Sequence, residues 1–162
     1  MDDIVAYRKA LSNFATGVTV ASTVYCDDIV SITVNSFTSV SLEPRLILVC
    51  IGKNAAFLPA VTDSQCFSVC ILPDSCIDIA QSCSTLPIKE RAQFFHINSD
   101  SPFPETKNFI SKFECTVYSI YEAGDHYVII GRVKSFRVHE HKSNPLLYFK
   151  SQLLQYNIDN DK

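Results

Sequence analysis

The chain has 162 residues, 47% hydrophobic and 19% charged, with 14 basic against 17 acidic side chains and a formal charge of −3. That is one domain's worth of protein with enough apolar content for a core. It is too apolar for a disordered tail and lacks the basic field that binds nucleic acid. No apolar run nears the roughly 18–20 residues of a membrane helix; Leu46 to Ile51 is only a strand's length. Met1-Asp2-Asp3 shows neither the basic start nor the apolar stretch of a signal peptide. The expectation is a single domain over residues 1–162, cytoplasmic, bound neither to nucleic acid nor to a membrane.

Seven cysteines (Cys26, Cys50, Cys66, Cys70, Cys76, Cys83 and Cys115) are an odd number, and no export signal accompanies them. Disulfide staples are therefore not expected. Four of the seven stand in runs that read as buried strands, where a thiol acts as a small hydrophobe. Zinc needs paired short spacings, and only Cys66-x3-Cys70 comes near one. No metal site is expected. The four glycines, at 17, 52, 124 and 131, lie too far apart for a Rossmann fingerprint or a P-loop.

Along the chain, Asp2 to Phe14 places apolar residues at 4, 7, 11 and 14, one face of a helix. A strand from Gly17 to Val24, a turn at Cys26-Asp27-Asp28 and a strand from Ile29 to Asn35 follow. Arg45 to Ile51 reads as a strand buried on both faces. Asn54 is placed to cap a short helix through Leu58, limited by Pro59. Cys66 to Leu72 is a strand, and Asp74 caps a helical stretch to Cys83. Ser84 to Lys107 carries no clear period and is expected to be a connection. Glu114 to Tyr121 and Tyr127 to Val138 are β-rich runs joined by a turn at Glu122-Ala123-Gly124-Asp125. Asn144-Pro145 is predicted to open a short helix through Phe149. Strands outnumber helices and several join without a crossover, so a mostly antiparallel barrel with peripheral helices is expected.

Three segments carry a resemblance: Phe14-Ala15-Thr16-Gly17-Val18-Thr19-Val20, Thr33 through Pro44 (TVNSFTSVSLEP), and Glu122-Ala123-Gly124-Asp125-His126 running into Val128 to Val133, with Pro145 to Phe149 behind. In this order and spacing, over about residues 6–150, the chain resembles the flavin reductase family. The resemblance implies a mainly β FMN-binding split barrel with Greek-key-like antiparallel strands and peripheral short helices. It also implies a homodimer that passes hydride from NAD(P)H to FMN or FAD, with a monooxygenase as a possible partner for the reduced flavin. By the same resemblance, Thr33, Val34, Asn35 and Ser36 line the flavin ring, followed by Ser39 and Ser41. Gly52, Lys53 and Asn54 take the phosphate side. Gly124, Asp125 and His126 lie near the nicotinamide or flavin ring, and Tyr148 and Phe149 come close to the site. Arg91 to His96 is the nearest fit to a closing segment, with Phe95 a ring-packing candidate.

The residues make chemical sense in those roles. Neutral donors and acceptors suit a ring edge of carbonyls and nitrogens, and donors at that edge stabilise an anionic reduced flavin. Lys53 at a helix entry suits an anion. His126 is expected to orient the nicotinamide or the flavin rather than to move a proton. His96, His139 and His141 match no motif and are expected at the surface. One other reading stays open, a flavin-binding electron carrier without NAD(P)H turnover; a split barrel binding another ligand such as haem or pyridoxal phosphate is argued against by the intact Thr33 to Ser41 segment.

Overall fold

β-Branched and aromatic runs become the strands that dominate the fold. The computed structural model describes residues 3–97, 101–139 and 143–156; Asp2 and His141 lie outside these. The strands are β1 (Thr16–Gly17), β2 (Thr19–Tyr25), β3 (Asp28–Val34), β4 (Thr38–Leu42), β5 (Arg45–Gly52), β6 (Cys66–Ile71), β7 (Phe95–His96), β8 (Glu105–Thr106), β9 (Ser111–Ala123), β10 (His126–Val138), β11 (Leu146–Phe149) and β12 (Gln152–Gln155). The helices are α1 (Asp3–Leu11), α2 (Phe57–Ser64), α3 (Ile77–Thr85) and α4 (Ile88–Arg91). No helix among the described residues is long and apolar enough to cross a membrane.

Seven strands form one sheet in the order β3-β2-β6-β9-β10-β5-β4, and every neighbouring pair is antiparallel. Its two edge strands, β3 and β4, are consecutive in the chain and joined only by Asn35, Ser36 and Phe37. So short a connection spans at most about 14 Å from Val34 to Thr38. The sheet therefore has to curl until its edges face each other, leaving a seam with no β3–β4 ladder. This is the mainly β, antiparallel split architecture that the family resemblance implies.

The inside of the curl holds Val30, Val34, Ile47, Val49, Ile51, Phe67, Val69, Cys115, Ile129 and Val133, with Phe57, Ala60 and Val61 of α2 packed against them. Gly131 is dictated by this packing: a Cβ there would lie 2.5 Å from Phe67 Cζ. A second cluster joins Val18, Val20 and Leu72 to α3 residues Ile79, Ala80 and Cys83, and to Phe95 and Leu146. The cysteines are all free thiols, and burial pushes the Cys115 thiol up to about 12, so it is an inert core residue.

Four local expectations are corrected. β5 alternates, with Ile47, Val49 and Ile51 buried while Leu46, Leu48 and Cys50 are only half-buried, because a curled sheet has one inner face. Asn54 does not cap the helix, Lys53 does not stand at its entry and Pro59 does not end it: α2 begins at Phe57 without a side-chain cap, and proline in a first turn forfeits no intrahelical bond. Asp74 opens a 3-10 turn, Asp74–Cys76, and makes no side-chain cap. The predicted helix after Pro145 is instead β11, which pairs with both β1 and β12; pairing partners outweigh a four-residue helical preference. Helix α1 forms, but it buries no residue within the chain.

The unpatterned stretch after Ser84 is a strap anchored by charge. Lys112 on β9 is 1% exposed, and its ammonium bonds Glu105 at 2.8 Å, Glu114 at 2.8 Å and the Phe103 carbonyl at 3.1 Å. Arg137 also binds Glu105, and His96 Nε2 lies 3.1 Å from the same carboxylate. Burial alone would push the Glu114 carboxyl up, but hydrogen bonds from Lys112, Ser101 and Ser135 hold it below the usual range. Its contribution to stability is thus present above the unfolded carboxylate pKa, about 4.3, and is lost as pH falls through the lower folded value.

Lys112→Met should cost about 3–5 kcal/mol at neutral pH by stranding buried carboxylates. The deficit should shrink toward pH 4, where the stranded carboxyls take up protons. Urea unfolding at pH 7 and pH 4.5 checks this, and a deficit independent of pH would contradict it.

Candidate active site

The seam is held by a side chain in place of a strand. Ser36 Oγ accepts from the Cys50 N–H at 2.9 Å and donates to the Cys50 carbonyl at 3.2 Å. Since Thr38 pairs with Leu48, this hydroxyl takes ladder bonds at the position where the β4–β5 pairing would next continue. Phe37 turns inward onto Phe113, ring centroids 5.7 Å apart. Asn35 is left exposed between them.

Three cavities meet at Asn35. The largest, about 840 Å³, is lined by Arg8, Leu11, Ser12, Phe14, Thr16, Asn35, Ser36, Tyr148 and Ser151. A second of about 360 Å³ adds Gly17, Thr19, Phe37 and Thr38, and a third of about 310 Å³ reaches Thr33, Ala80 and Ser84. None has an acidic side chain in its lining. Thr16 lines the first two cavities, and its Oγ1 is buried with no hydrogen-bond partner. An orphaned hydroxyl, side-chain donors that include the Arg8 guanidinium, and an aromatic wall suit a planar heteroaromatic ligand with carbonyls on its edge.

A second group sits at the ends of β5 and β10. Gly124 adopts φ 62°, as the first position of such a two-residue hairpin requires. His126 Nδ1 lies 2.7 Å from Asp125 Oδ1. That hydrogen bond and the charge of His126 hold Asp125 below the usual carboxylate range, with a smaller pull from Arg8 of α1. His126 stands opposite Gly52, where a Cβ would lie 3.7 Å from His126 Nε2. Lys53 donates its backbone N–H to Asp125 O at 2.9 Å. Its ammonium bonds Glu122, which raises the lysine above its ordinary range.

Of the residues singled out from sequence, Thr33, Asn35, Ser36 and Tyr148 share the cavity system. Thr33 spends its hydroxyl on the Ala80 carbonyl at 2.6 Å. Gly52, Lys53, Asn54, Gly124, Asp125 and His126 occur on or beside the two facing turns. Ser36 connects the groups through Cys50, two residues before Gly52, and the charge of Arg8 links the turn to α1. Val34 points into the core, and Phe95 is buried in the second cluster. Ser39 and Ser41 stand on the edge strand β4, outside the cavity linings. His96 and His139 are exposed as expected, although His139 stacks on Phe109 at 4.2 Å. Arg8, Ser12, Phe14 and Thr16 were not singled out. Phe14 and Thr16 belong to the quoted first motif, and an aromatic 77% exposed is the feature that marks Phe14 once the fold is known.

The fold is an open antiparallel barrel with a cavity of about 840 Å³ at its seam. Residues 11–156 match the model of the flavin reductase like domain, and the chain belongs to that family. It is 37% identical over 134 residues to a probable flavin reductase of Rhizobium meliloti, covering 81% of this chain but 42% of that protein. It is 33% identical over 148 residues to the flavin-dependent monooxygenase reductase subunit HsaB of Mycobacterium tuberculosis, covering 89% of this chain and 78% of the relative. The first two curated relatives are each spanned only over 42% of their length. Among solved structures, BorF, the flavin reductase component of a bacterial two-component tryptophan halogenase, superposes with TM-score 0.85 at 32% identity over 94% of this chain and 97% of that one. The NADH:FAD oxidoreductase SgcE6 of Streptomyces globisporus, solved with NAD and FAD fragments, gives TM-score 0.90 at 28% identity over 98% and 96%.

Ser36→Ala should lower the unfolding free energy by about 1–3 kcal/mol, because the Cys50 N–H loses its acceptor at the seam. Chemical denaturation measures this, and a change below about 0.3 kcal/mol would show that the Ser36 bridge does not hold the edges.

Proposed function

We propose that this chain is an NAD(P)H:flavin reductase that takes FMN or FAD at the seam and delivers reduced flavin to a separate monooxygenase. The observation that carries the reading is the cavity at Asn35, with the unpartnered Thr16 hydroxyl and no carboxylate in its lining. The reductase activities for which HsaB, BorF and SgcE6 are named support it. Bound flavin and nicotinamide would supply the hydride chemistry themselves.

The chain's part is to bind, orient and exclude water. Asn35 and Thr16 offer neutral hydrogen-bonding groups to the ring edge, Ser36 holds the connector that carries Asn35, and Tyr148 offers an apolar wall with a polar tip. Lys53 keeps ammonium protons beyond the one given to Glu122, so it can meet a flavin phosphate. His126, braced by Asp125, orients the nicotinamide amide. Ser39, Ser41 and Phe95 act behind these residues, as supports of β4 and of the strap.

The same reading makes the functional unit a single domain that pairs into a homodimer in the cytoplasm. Supporting the pairing, Tyr7 and Leu11 on α1, Phe14 just after it, and Leu42, Tyr118, Tyr121 and Phe136 on the sheet are exposed apolar side chains that a second copy could cover.

The test is consumption of NADH, and separately NADPH, by the purified protein with FMN or FAD added. Steady oxidation that requires flavin is expected; its absence with every pair would overturn the reading in favour of a flavin carrier. His126→Ala should raise KM for the nicotinamide donor about tenfold while flavin affinity stays within about twofold. Lys53→Ala should weaken FMN far more than riboflavin in a fluorescence titration, and equal losses would remove Lys53 from the phosphate.

A further inference from the structure

Beside the ring-sized cavity opens another of about 560 Å³, and the two share Arg8, Ser12 and Ser151. Lys9 and Lys150 also line it, and no carboxylate does. Three cations thus converge in a chain whose net charge is −3. Among the described residues none of the three enters a salt bridge. Asp125 feels the charge of Arg8, but that carboxylate is already bonded to His126.

Basic residues in the last turn of a helix often answer only the helix dipole. Here that explanation falls short. The terminal carbonyls of α1 already have donors: Ser12 Oγ reaches Lys9 O at 2.8 Å, and Asn13 Nδ2 reaches Lys9 O at 3.1 Å and Ala10 O at 3.2 Å. Lys150, moreover, comes from a different part of the chain. It sits in the β11–β12 turn with its N–H bonded to Ser12 O at 2.8 Å, which fixes the turn against the end of α1. Lys150 and Ser151 adopt φ 48° and 62°, the left-handed region that favours glycine. Both nevertheless present their side chains to the cleft.

We infer that this cleft is a phosphate subsite for the nicotinamide donor: Arg8, Lys9 and Lys150 take its phosphodiester end while its nicotinamide reaches the Asn35–Tyr148 cavity. The inference rests on the reductase reading and adds to it the residues that select a dinucleotide. Phosphate esters are the shared chemistry of donor and flavin. The donor is assigned here because the proposed function already gives the flavin phosphate a cation in Lys53, which lines neither cavity. Clustered guanidinium and ammonium groups bind phosphate through charge-assisted hydrogen bonds, and at an open surface that attraction weakens with salt.

The experiment compares the unmodified protein with the double variant Lys9→Gln/Lys150→Gln, whose changed side chains are exposed. Measured are KM and kcat for NADH and NADPH, competition by ADP, and dissociation constants for FMN and riboflavin. Expected are a rise of about tenfold or more in donor KM, kcat within about twofold, and a matching loss of ADP competition. FMN affinity should be unchanged, which also reports an intact fold. Unchanged donor KM and ADP competition would overturn the subsite. Weaker FMN relative to riboflavin with unchanged donor KM would assign the cleft to the flavin phosphate and overturn the donor assignment. If the unmodified protein oxidises no NADH or NADPH, the reductase reading fails, and calorimetry with ADP decides the cleft alone. Heat that disappears in the double variant upholds a phosphate site; equal or absent heat overturns it.

Discussion

Three residues carry the chain from one edge of a seven-stranded sheet to the other, and the rest of the architecture follows from that short span. Asn35, Ser36 and Phe37 are too few to reach across a flat sheet, so β3 and β4 must face each other without pairing. Backbone groups along an unpaired edge have to be satisfied or left to water. At Cys50 the Ser36 hydroxyl satisfies them, while Phe37 packs inward and Asn35 stays available. One connector thereby closes the fold and opens the site.

The surroundings of that seam divide the work. On one side the lining around Asn35 and Thr16 carries no carboxylate. Cations from α1 and the β11–β12 turn line the adjoining cleft. Lys53 and His126 lie on facing turns at the ends of β5 and β10, each already oriented by a carboxylate, Glu122 and Asp125 respectively. Exposed pairs of this kind contribute little to stability, so their value lies in placing the side chains. Stability comes instead from the inner face of the sheet and from the buried Lys112 network that fastens the strap to β9.

Much of the barrel was legible because its strands alternate or are strongly β-branched, and because Gly124-Asp125 announces its hairpin. β11 was not legible: Leu146–Phe149 is too short to have a period, and its strand character comes from β1 and β12, distant in sequence. The strap was hidden for a related reason. Its order depends on Lys112, a residue type whose usual place is the surface, and no local pattern marks a buried lysine. Asn35, Ser36 and Tyr148, grouped by motif resemblance, line one cavity, whereas the His126 turn of the same grouping lies outside that lining. Arg8, Ser12 and Thr16 escaped because they join the site only when α1 and the short sheet are folded beside the seam. Val34 shows the converse, since strand alternation turns its side chain away from the segment it belongs to.

The most direct test of the account is an anaerobic titration of the purified protein, with FMN added, followed by visible absorption as NADH is introduced. The account predicts binding of flavin and its bleaching at a rate that depends on the protein. Flavin that binds and keeps its colour through excess NADH and NADPH, or that does not bind at all, would contradict it.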